Sequence, residues 1–391
     1  MKLLPGLLLL CLTVVVAGSL AAADVPSGPA PLPAATPTVP APPQVEAKGY
    51  LLIDFNTGAV LAESNADQRL EPASLTKIMT GYTIYRELAA GRVHLTDQVL
   101  ISENAWRTGG SKMFVEVGKQ ISLEDLLKGM IIQSGNDASI ALAEHVAGSE
   151  QVFSELMNTN TKRLGMENSH FVNVTGLPDP NHFTTARDIA RVTAALIREF
   201  PQYYVWDGTK EYEFNGIKQQ NRNRLLWRDS TVDGVKTGYT ENAGYCLVAS
   251  ARRDGMRLIS VVLGAKTPEA RAVASLELLN YGFRFYESHR LYPGGEPLEN
   301  LRVWKGDQKE VPVGPARDVY ATIPRGRYAE LAARMDKVPT LTAPITRGAQ
   351  LGEVVVTLAG QEVSRVPLVA LQDVAAGGLW DQARDTVLQW F

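Results

Sequence analysis

"EPASLTKIMT", residues 71–80, sets a proline ahead of Ser74 and places Lys77 one helical turn beyond it, at the head of an apolar run. Residues i and i+3 share a helix face, so a helix starting here points a hydroxyl and an amine the same way. The plainer reading is a capping serine followed by a good helix former. Two strings farther along bear on the choice. "IIQSGNDAS", residues 131–139, puts Ser134, Gly135 and Asn136 at a helix start. "VDGVKTGYTENAGY", residues 232–245, puts Lys236, Thr237 and Gly238 on a strand. Each alone is weak, because Ser-Gly-Asn marks many turns and caps and Lys-Thr-Gly is a common tripeptide.

Around these strings the chain alternates in character. "KGYLLIDFNTGAVLAESN", residues 48–65, reads as two strands about an Asn56-Thr57-Gly58 turn. Helical periodicity follows over 74–90, 122–132, 136–147, 150–164 and 186–198. "AGYCLVASARRDGMRLISVVLG", residues 243–264, is two β-rich runs joined by Asp254-Gly255, a strong hairpin signal. Residues 268–288 turn helical again, with Ala270, Ala274, Leu276, Leu279, Phe283 and Tyr286 apolar. Strands at both ends with helices between them predict an α+β domain, an antiparallel sheet flanked by helices, over residues 45–289. Beyond it, valine-rich alternating runs broken by Gly or Pro predict a small all-β domain over 290–375, a spacer or interaction module.

The ends differ from the rest. Residues 1–23 carry one early basic residue, an apolar run from Leu3 to Val16, and Ala21 and Ala23 in an A-x-A pattern before Asp24. That predicts a cleaved signal peptide, with a retained anchor as the alternative, and a protein working outside the cytoplasm. Cys11 leaves with the signal, and Cys246 then has no partner within the chain. Residues 24–44 are a Pro/Ala-rich linker without amphipathic period. At the other end, 379–391, "LWDQARDTVLQWF" wound as a helix lines up Trp380, Ala383, Val387 and Phe391, with Leu379 and Leu388 beside them. By itself the peptide suits a membrane interface and a helix packed on its own domain equally.

With 45% hydrophobic and 21% charged residues and a net charge of −3, the 391-residue chain gives no sign of a nucleic-acid partner. The five histidines fall at no metal-ligand spacing, and H-E-x-x-H, C-x-x-C, G-x-S-x-G and phosphate-loop patterns are all missing, so no metal or other cofactor is called for. His182, in "DPNHFTT", is the one histidine considered for Ser74, and an isolated loop histidine is commonly a surface residue.

Taken together, Ser74-x-x-Lys77, Ser134-Gly135-Asn136 and Lys236-Thr237-Gly238 match the three-part set of β-lactamases and penicillin-binding proteins. The chain resembles the low-molecular-mass penicillin-binding proteins, the D-alanyl-D-alanine carboxypeptidases. The resemblance runs from about Val45 to the end, through "LEPASLTKIMT", "IIQSGNDASIALAE", "QNRNRLLW", "VDGVKTGYTENAGYCLVASA" and "LLNYGFRFYE". It implies the transpeptidase-like fold, a β domain, and a C-terminal amphipathic helix on the outer face of the cytoplasmic membrane.

For the reaction, the resemblance implies removal of the terminal D-Ala from peptidoglycan stem peptides through an acyl-Ser74, with β-lactams as inhibitors. Ser74 is expected as nucleophile, Lys77 as general base and Ser134 as proton relay. Lys77 must be neutral to act, although an amine ordinarily titrates near 10.4; burial and the charge of Lys236 are the expected causes. Asn136 is expected to hold the substrate amide or the Lys77 amine. Lys236 and Thr237 would meet the terminal carboxylate, and Gly238 would leave room for a strand-like peptide. The backbone N–H groups of Ser74 and Tyr239 would form an oxyanion hole, and Arg222 would add a second carboxylate contact.

Two departures from the family stand out. Tyr239 follows Lys-Thr-Gly where relatives often carry histidine, and Lys266 stands where some carry a carboxylate-binding arginine. The alternatives are a β-lactamase, a D,D-endopeptidase and a non-catalytic wall-binding scaffold. Against the first, the loop "VTGLPDPNHFTTARDIA", residues 174–190, contains no glutamate to activate water.

Overall fold

The computed structural model describes residues 39–388. The expected signal segment 1–23, most of the linker 24–44, and Trp390 and Phe391 at the end lie outside the described residues.

A five-stranded antiparallel sheet organises the first part of the chain. Its strands are β1 (Gly49–Asp54), β2 (Val60–Ser64), β3 (Val232–Thr240), β4 (Gly244–Arg253) and β5 (Met256–Ala265), in the spatial order β2-β1-β5-β4-β3. The expected hairpin at Asp254-Gly255 joins β4 to β5, and β3 is an edge. Side chains alternate across the sheet and both faces are covered. Leu51, Ile53, Val248, Ile259 and Val261 enter one core, while Leu52, Leu247, Ala249, Leu258 and Val262 enter the other.

On the first face lie α1 (Thr76–Ala89), α2 (Asn136–Ala147), α3 (Glu150–Arg163) and α4 (Ala186–Glu199). Every residue of α1 from Thr76 to Tyr85 is buried. A helix closed in on all sides has its register set by packing, so a polar residue on it is held where the core puts it. The second face is covered by α5 (Pro268–Phe285), whose first turn is capped by Thr267 accepting from Ala270 N at 2.9 Å. Gly282 lets α5 lie against the sheet; a Cβ there would meet Leu258 Cδ1 at 2.5 Å.

Two helical expectations are cut short. The pattern over 122–132 is an α-helix only for Leu123–Lys128, then a π-helical turn over Gly129–Gln133. A Cβ on Gly129 would lie 2.1 Å from Met113 Sδ, so the wide turn accommodates that side chain. The pattern over 268–288 stops at Phe285, because residues 286–292 form a strand that pairs with Val319–Pro324. Tertiary pairing takes backbone groups that periodicity alone assigned to the helix.

The rest is β structure around a valine-rich core. A six-stranded sheet runs in the order Leu331–Lys337, Gln350–Leu358, Gln361–Ala370, Glu310–Pro315, Glu299–Trp304, Leu341–Thr342. A helix, α6 (Leu379–Leu388), follows. Asp385 is its inward residue: it is buried and accepts from Lys305 N at 2.6 Å. Leu379 and Trp380 are 85% and 90% exposed, and Val387 and Leu388 are also exposed. Among the described residues, these apolar side chains of α6 are therefore left exposed rather than packed on the β domain.

Candidate active site

The turn before α1 is built under pressure. Ala73 has φ +47°, and Gly176, at φ +83°, presses on it so closely that a Cβ would fall 1.8 Å from Ala73 O. Only glycine fits that approach. The contact seats the Thr175 carbonyl over α1, where Lys77 Nζ donates to it at 2.7 Å and Ser74 Oγ lies 3.4 Å away.

Lys77 Nζ also lies 3.1 Å from Ser74 Oγ and 2.7 Å from Asn136 Oδ1. None of these three partners is charged. A neutral amine has two N–H groups and one lone pair. Asn136 and Thr175 take the N–H groups, which leaves the lone pair for the Ser74 hydroxyl. Burial holds the Lys77 amine well below its ordinary range, and the charges of Lys236 and Arg222 push the same way; Asp137 and Glu150 oppose them.

Ser134 closes the π-helical turn in the left-handed region, φ +66°, ahead of α2. Its hydroxyl accepts from Lys236 Nζ at 2.9 Å. Asn136 is clamped at both ends, since its Nδ2 donates to Gly109 O at 2.7 Å. Of the two roles expected for Asn136, the contact present is the one with the Lys77 amine. Asp137 beside it gathers the backbone N–H groups of Met113, Phe114 and Val115 at 2.9, 2.9 and 3.2 Å, which fixes the loop forming one wall.

The opposite wall is β3. Lys236 and Thr237 are buried on it, and Gly238 meets the Ser74 turn: a Cβ there would lie 3.1 Å from both Ser74 N and Pro72 O. The strand thereby runs past the Ser74 backbone, bringing the Tyr239 segment beside it. The Tyr239 side chain is 51% exposed and stacks on Tyr245 with ring centroids 4.3 Å apart. Burial pushes the Lys236 amine down to about 7, with Arg222 and Arg271 adding to the effect and Asp207 opposing it.

Ser74, Ser134, Asn136, Thr237, Gly238, Tyr239 and Arg222 line one cleft of about 1010 Å³, with Lys77 and Lys236 buried at its floor by their contacts with Ser74 and Ser134. Lys266 is not in it. That residue is exposed and pairs with Glu46 at 3.0 Å. A basic residue of this segment that does line the cleft is Arg271, on the first turns of α5, whose Nη1 donates to Gly238 O at 2.8 Å and to Cys246 O at 3.2 Å. Both basic residues lie within six positions, and Thr267-Pro268, a cap and a first-turn proline, marks Lys266 as outside the helix and Arg271 as inside it, while the packing of α5 sets which face meets β3.

His182 is not a surface residue. It is buried, its Nδ1 accepts from Val172 N at 3.2 Å, and its Nε2 donates to Thr76 Oγ1 at 2.8 Å. Burial pushes it down to about 4, so it is a neutral brace between the 170–184 loop and α1, next to Lys77. Among the described residues, no group of three His, Cys, Asp or Glu side chains is placed to hold a metal ion.

Comparison with known proteins agrees with this geometry. Residues 36–267 match the family model described as D-alanyl-D-alanine carboxypeptidase, and residues 286–376 match that of the penicillin-binding protein 5 C-terminal domain. The chain is 46% identical over 370 residues to D-alanyl-D-alanine carboxypeptidase DacC of Escherichia coli strain K12, covering 92% of each chain. It is 43% identical over 361 residues to DacA of the same strain, covering 90% of each. The crystal structure of penicillin binding protein 5 from Haemophilus influenzae superposes with a TM-score of 0.79 at 43% identity, over 85% of this chain and 99% of that one.

Proposed function

This chain belongs to the D-alanyl-D-alanine carboxypeptidase family, and from that premise we propose how its cleft works: Ser74 is acylated, Lys77 is its base, and β3 holds the peptide. The protein is a serine-type D-Ala-D-Ala carboxypeptidase and a penicillin-binding protein, acting outside the cytoplasm on peptidoglycan peptides.

The stem peptide lies along the edge strand β3, in the manner of strand addition. Its terminal carboxylate meets Thr237, Lys236, Arg222 and Arg271. Lys77 takes the Ser74 proton as Oγ bonds to the penultimate D-Ala carbonyl carbon. The N–H groups of Ser74 and Tyr239 receive the negative oxygen. On collapse the peptide C–N bond breaks, and the departing amine takes a proton along the Lys77, Ser134 and Lys236 side. Water then cleaves the ester. Thr175 offers Ser74 a backbone carbonyl rather than a carboxylate, which favours slow release of a penicillin acyl group over the rapid clearance of a β-lactamase.

The observation that carries this reading is a buried lysine with only uncharged acceptors, 3.1 Å from the hydroxyl it must deprotonate. Incubation with a pentapeptide muropeptide is expected to release free D-Ala, and Ser74→Ala to release none. Absence of release by the wild type, or equal release by the variant, overturns it.

The domain plan proposed with this function is a signal peptide 1–23, a linker 24–44, a catalytic domain 45–289, a β domain 290–375 and a terminal helix 379–391, supported for its middle parts by the two family matches. The helix lies on the outer face of the cytoplasmic membrane, supported by Leu379, Trp380, Val387 and Leu388 projecting from it while Asp385 faces the protein. No helix among the described residues is long and apolar enough to cross a membrane. The mature chain should cosediment with phosphatidylcholine vesicles, and a chain ending at residue 378 should not; equal behaviour removes the helix from this role.

A further inference from the structure

The mechanism leaves one cation of the cleft unused. Among the described residues, four arginines line the cleft, Arg222, Arg224, Arg228 and Arg271, and no acidic side chain does. Three of them are accounted for. Arg222 and Arg271 meet the terminal carboxylate in the reading above, and Arg228 is held by Glu269, whose two oxygens accept from its Nη1 and Nη2 at 2.6 Å each. Arg224 is exposed and makes no hydrogen bond or ion pair with any described residue.

The chain builds this placement from alternation. In "QNRNRLLW", residues 220–227, Asn221 and Asn223 are buried while Arg222 and Arg224 are exposed. Asn223 Nδ2 donates to Gly234 O on β3 at 2.9 Å, and Asn221 Nδ2 donates to Thr209 O at 3.0 Å. Leu225 and Leu226 enter the core shared with α5. The backbone under Arg224 is thereby fixed to the strand that holds the peptide. Trp227, whose N–H donates to Arg224 O at 3.2 Å, also lines the cleft and is 44% exposed. The crowding of like charge is felt at Arg271: burial lowers the pKa of its guanidinium, and Arg222 and Arg224 push it the same way. One carboxylate shared by Lys236, Arg222 and Arg271 leaves Arg224 without a counter-charge, and the methyl group of a leaving D-Ala offers it none.

We propose that Arg224 is a specificity-determining residue on the leaving-group side of the cleft, where it receives a second carboxylate carried by the side chain of the leaving residue. The cleft then takes stem peptides that end in an acidic D-amino acid in preference to their neutral isosteres. A guanidinium meets a carboxylate through two parallel N–H groups, and Trp227 gives the methylenes of such a side chain an apolar wall. The reaction is otherwise unchanged: Ser74 is acylated and the acidic residue departs as a free amino acid. This rests on the reading above, in which the terminal carboxylate lies among Thr237, Lys236, Arg222 and Arg271.

The test uses the mature chain and two pentapeptides, one ending in D-Ala-D-Glu and one in D-Ala-D-Gln, with kcat/KM measured for release of the last residue. The wild type is expected to favour D-Glu about tenfold, mostly through KM, and added salt to shrink that ratio. Arg224→Gln is expected to bring the ratio to about one, and Arg224→Lys, which keeps a point charge, to retain part of it. A loss of stability acts on both peptides and cancels in the ratio. Should Arg224→Gln not fold, Arg224→Ala serves, with the same ratio expected. Equal rates for the two peptides in the wild type, no release of D-Glu while a D-Ala-D-Ala peptide is cleaved, or a preference that survives Arg224→Gln overturns the proposal. Failure of the underlying reading is distinct: it would be seen with the D-Ala-D-Ala peptide, as no release by the wild type or equal release by Ser74→Ala.

Discussion

The carbonyl oxygen of Thr175 stands 2.7 Å from Lys77 Nζ, and the amine's other two described partners, Asn136 Oδ1 and Ser74 Oγ, are equally uncharged. A buried ammonium is ordinarily paired with a carboxylate. The site withholds that partner and adds the fields of Lys236 and Arg222, an arrangement that favours the neutral amine a general base requires.

Lys77→Arg tests that neutrality without removing bulk. A guanidinium stays protonated, so it can donate but not accept. Acylation by penicillin is expected to fall about a thousandfold, within the range of general-base effects, while the melting temperature shows a folded protein. Acylation within tenfold of wild type would mean that the proton goes elsewhere.

Arg271 and Lys266 separate by consequence. Arg271→Ala removes a cation from the carboxylate end of the cleft, and kcat/KM for the peptide should drop about thirtyfold, near 2 kcal/mol, mostly in KM. Lys266→Ala, at an exposed pair with Glu46, should change it less than about twofold. Steady-state kinetics on both variants decide; equal effects would return the role to Lys266.

Gly176→Ala is expected to cost several kcal/mol and to abolish acylation, because its Cβ would collide with Ala73 O at 1.8 Å with φ at +83°. Gly118→Ala, at φ +75° with open space around it, should cost about 1–2 kcal/mol. Chemical denaturation compares them, and similar losses would show that the Gly176 contact does not matter.

His182 gives the fold a pH dependence of known sign. Its folded pKa, about 4, lies below the ordinary 6.5, so its stabilising effect is full above 6.5 and is lost as pH falls toward 4. The difference amounts to about 3 kcal/mol. His182→Gln cannot ionise, so its stability should fall less steeply over that interval than the wild type's. Parallel curves would contradict the burial argument.

The chemistry was easier to read in the sequence than the surroundings that tune it. Ser74, in the 3-10 turn Ala73–Leu75, and Lys77, in the first turn of α1 that follows it, are three apart, and Lys236 to Gly238 are consecutive on one strand, so local geometry alone brings those groups together. The membership of Ser134 and Asn136 followed from their motif, but the π-helical turn and left-handed Ser134 that aim them depend on Met113, distant in sequence. Arg271 was passed over for Lys266 because the register of α5 against β3 is a tertiary fact. Thr175 and Gly176 act through a backbone carbonyl and a missing Cβ, which carry no side-chain signature.

The most direct test of the central claim is peptide mapping by mass spectrometry after brief exposure to penicillin. One acyl group is expected, on the peptide carrying Ser74, forming faster as pH rises through the Lys77 titration. A stable adduct on any other residue, or a rate indifferent to pH, would contradict the assignment of this serine and this amine.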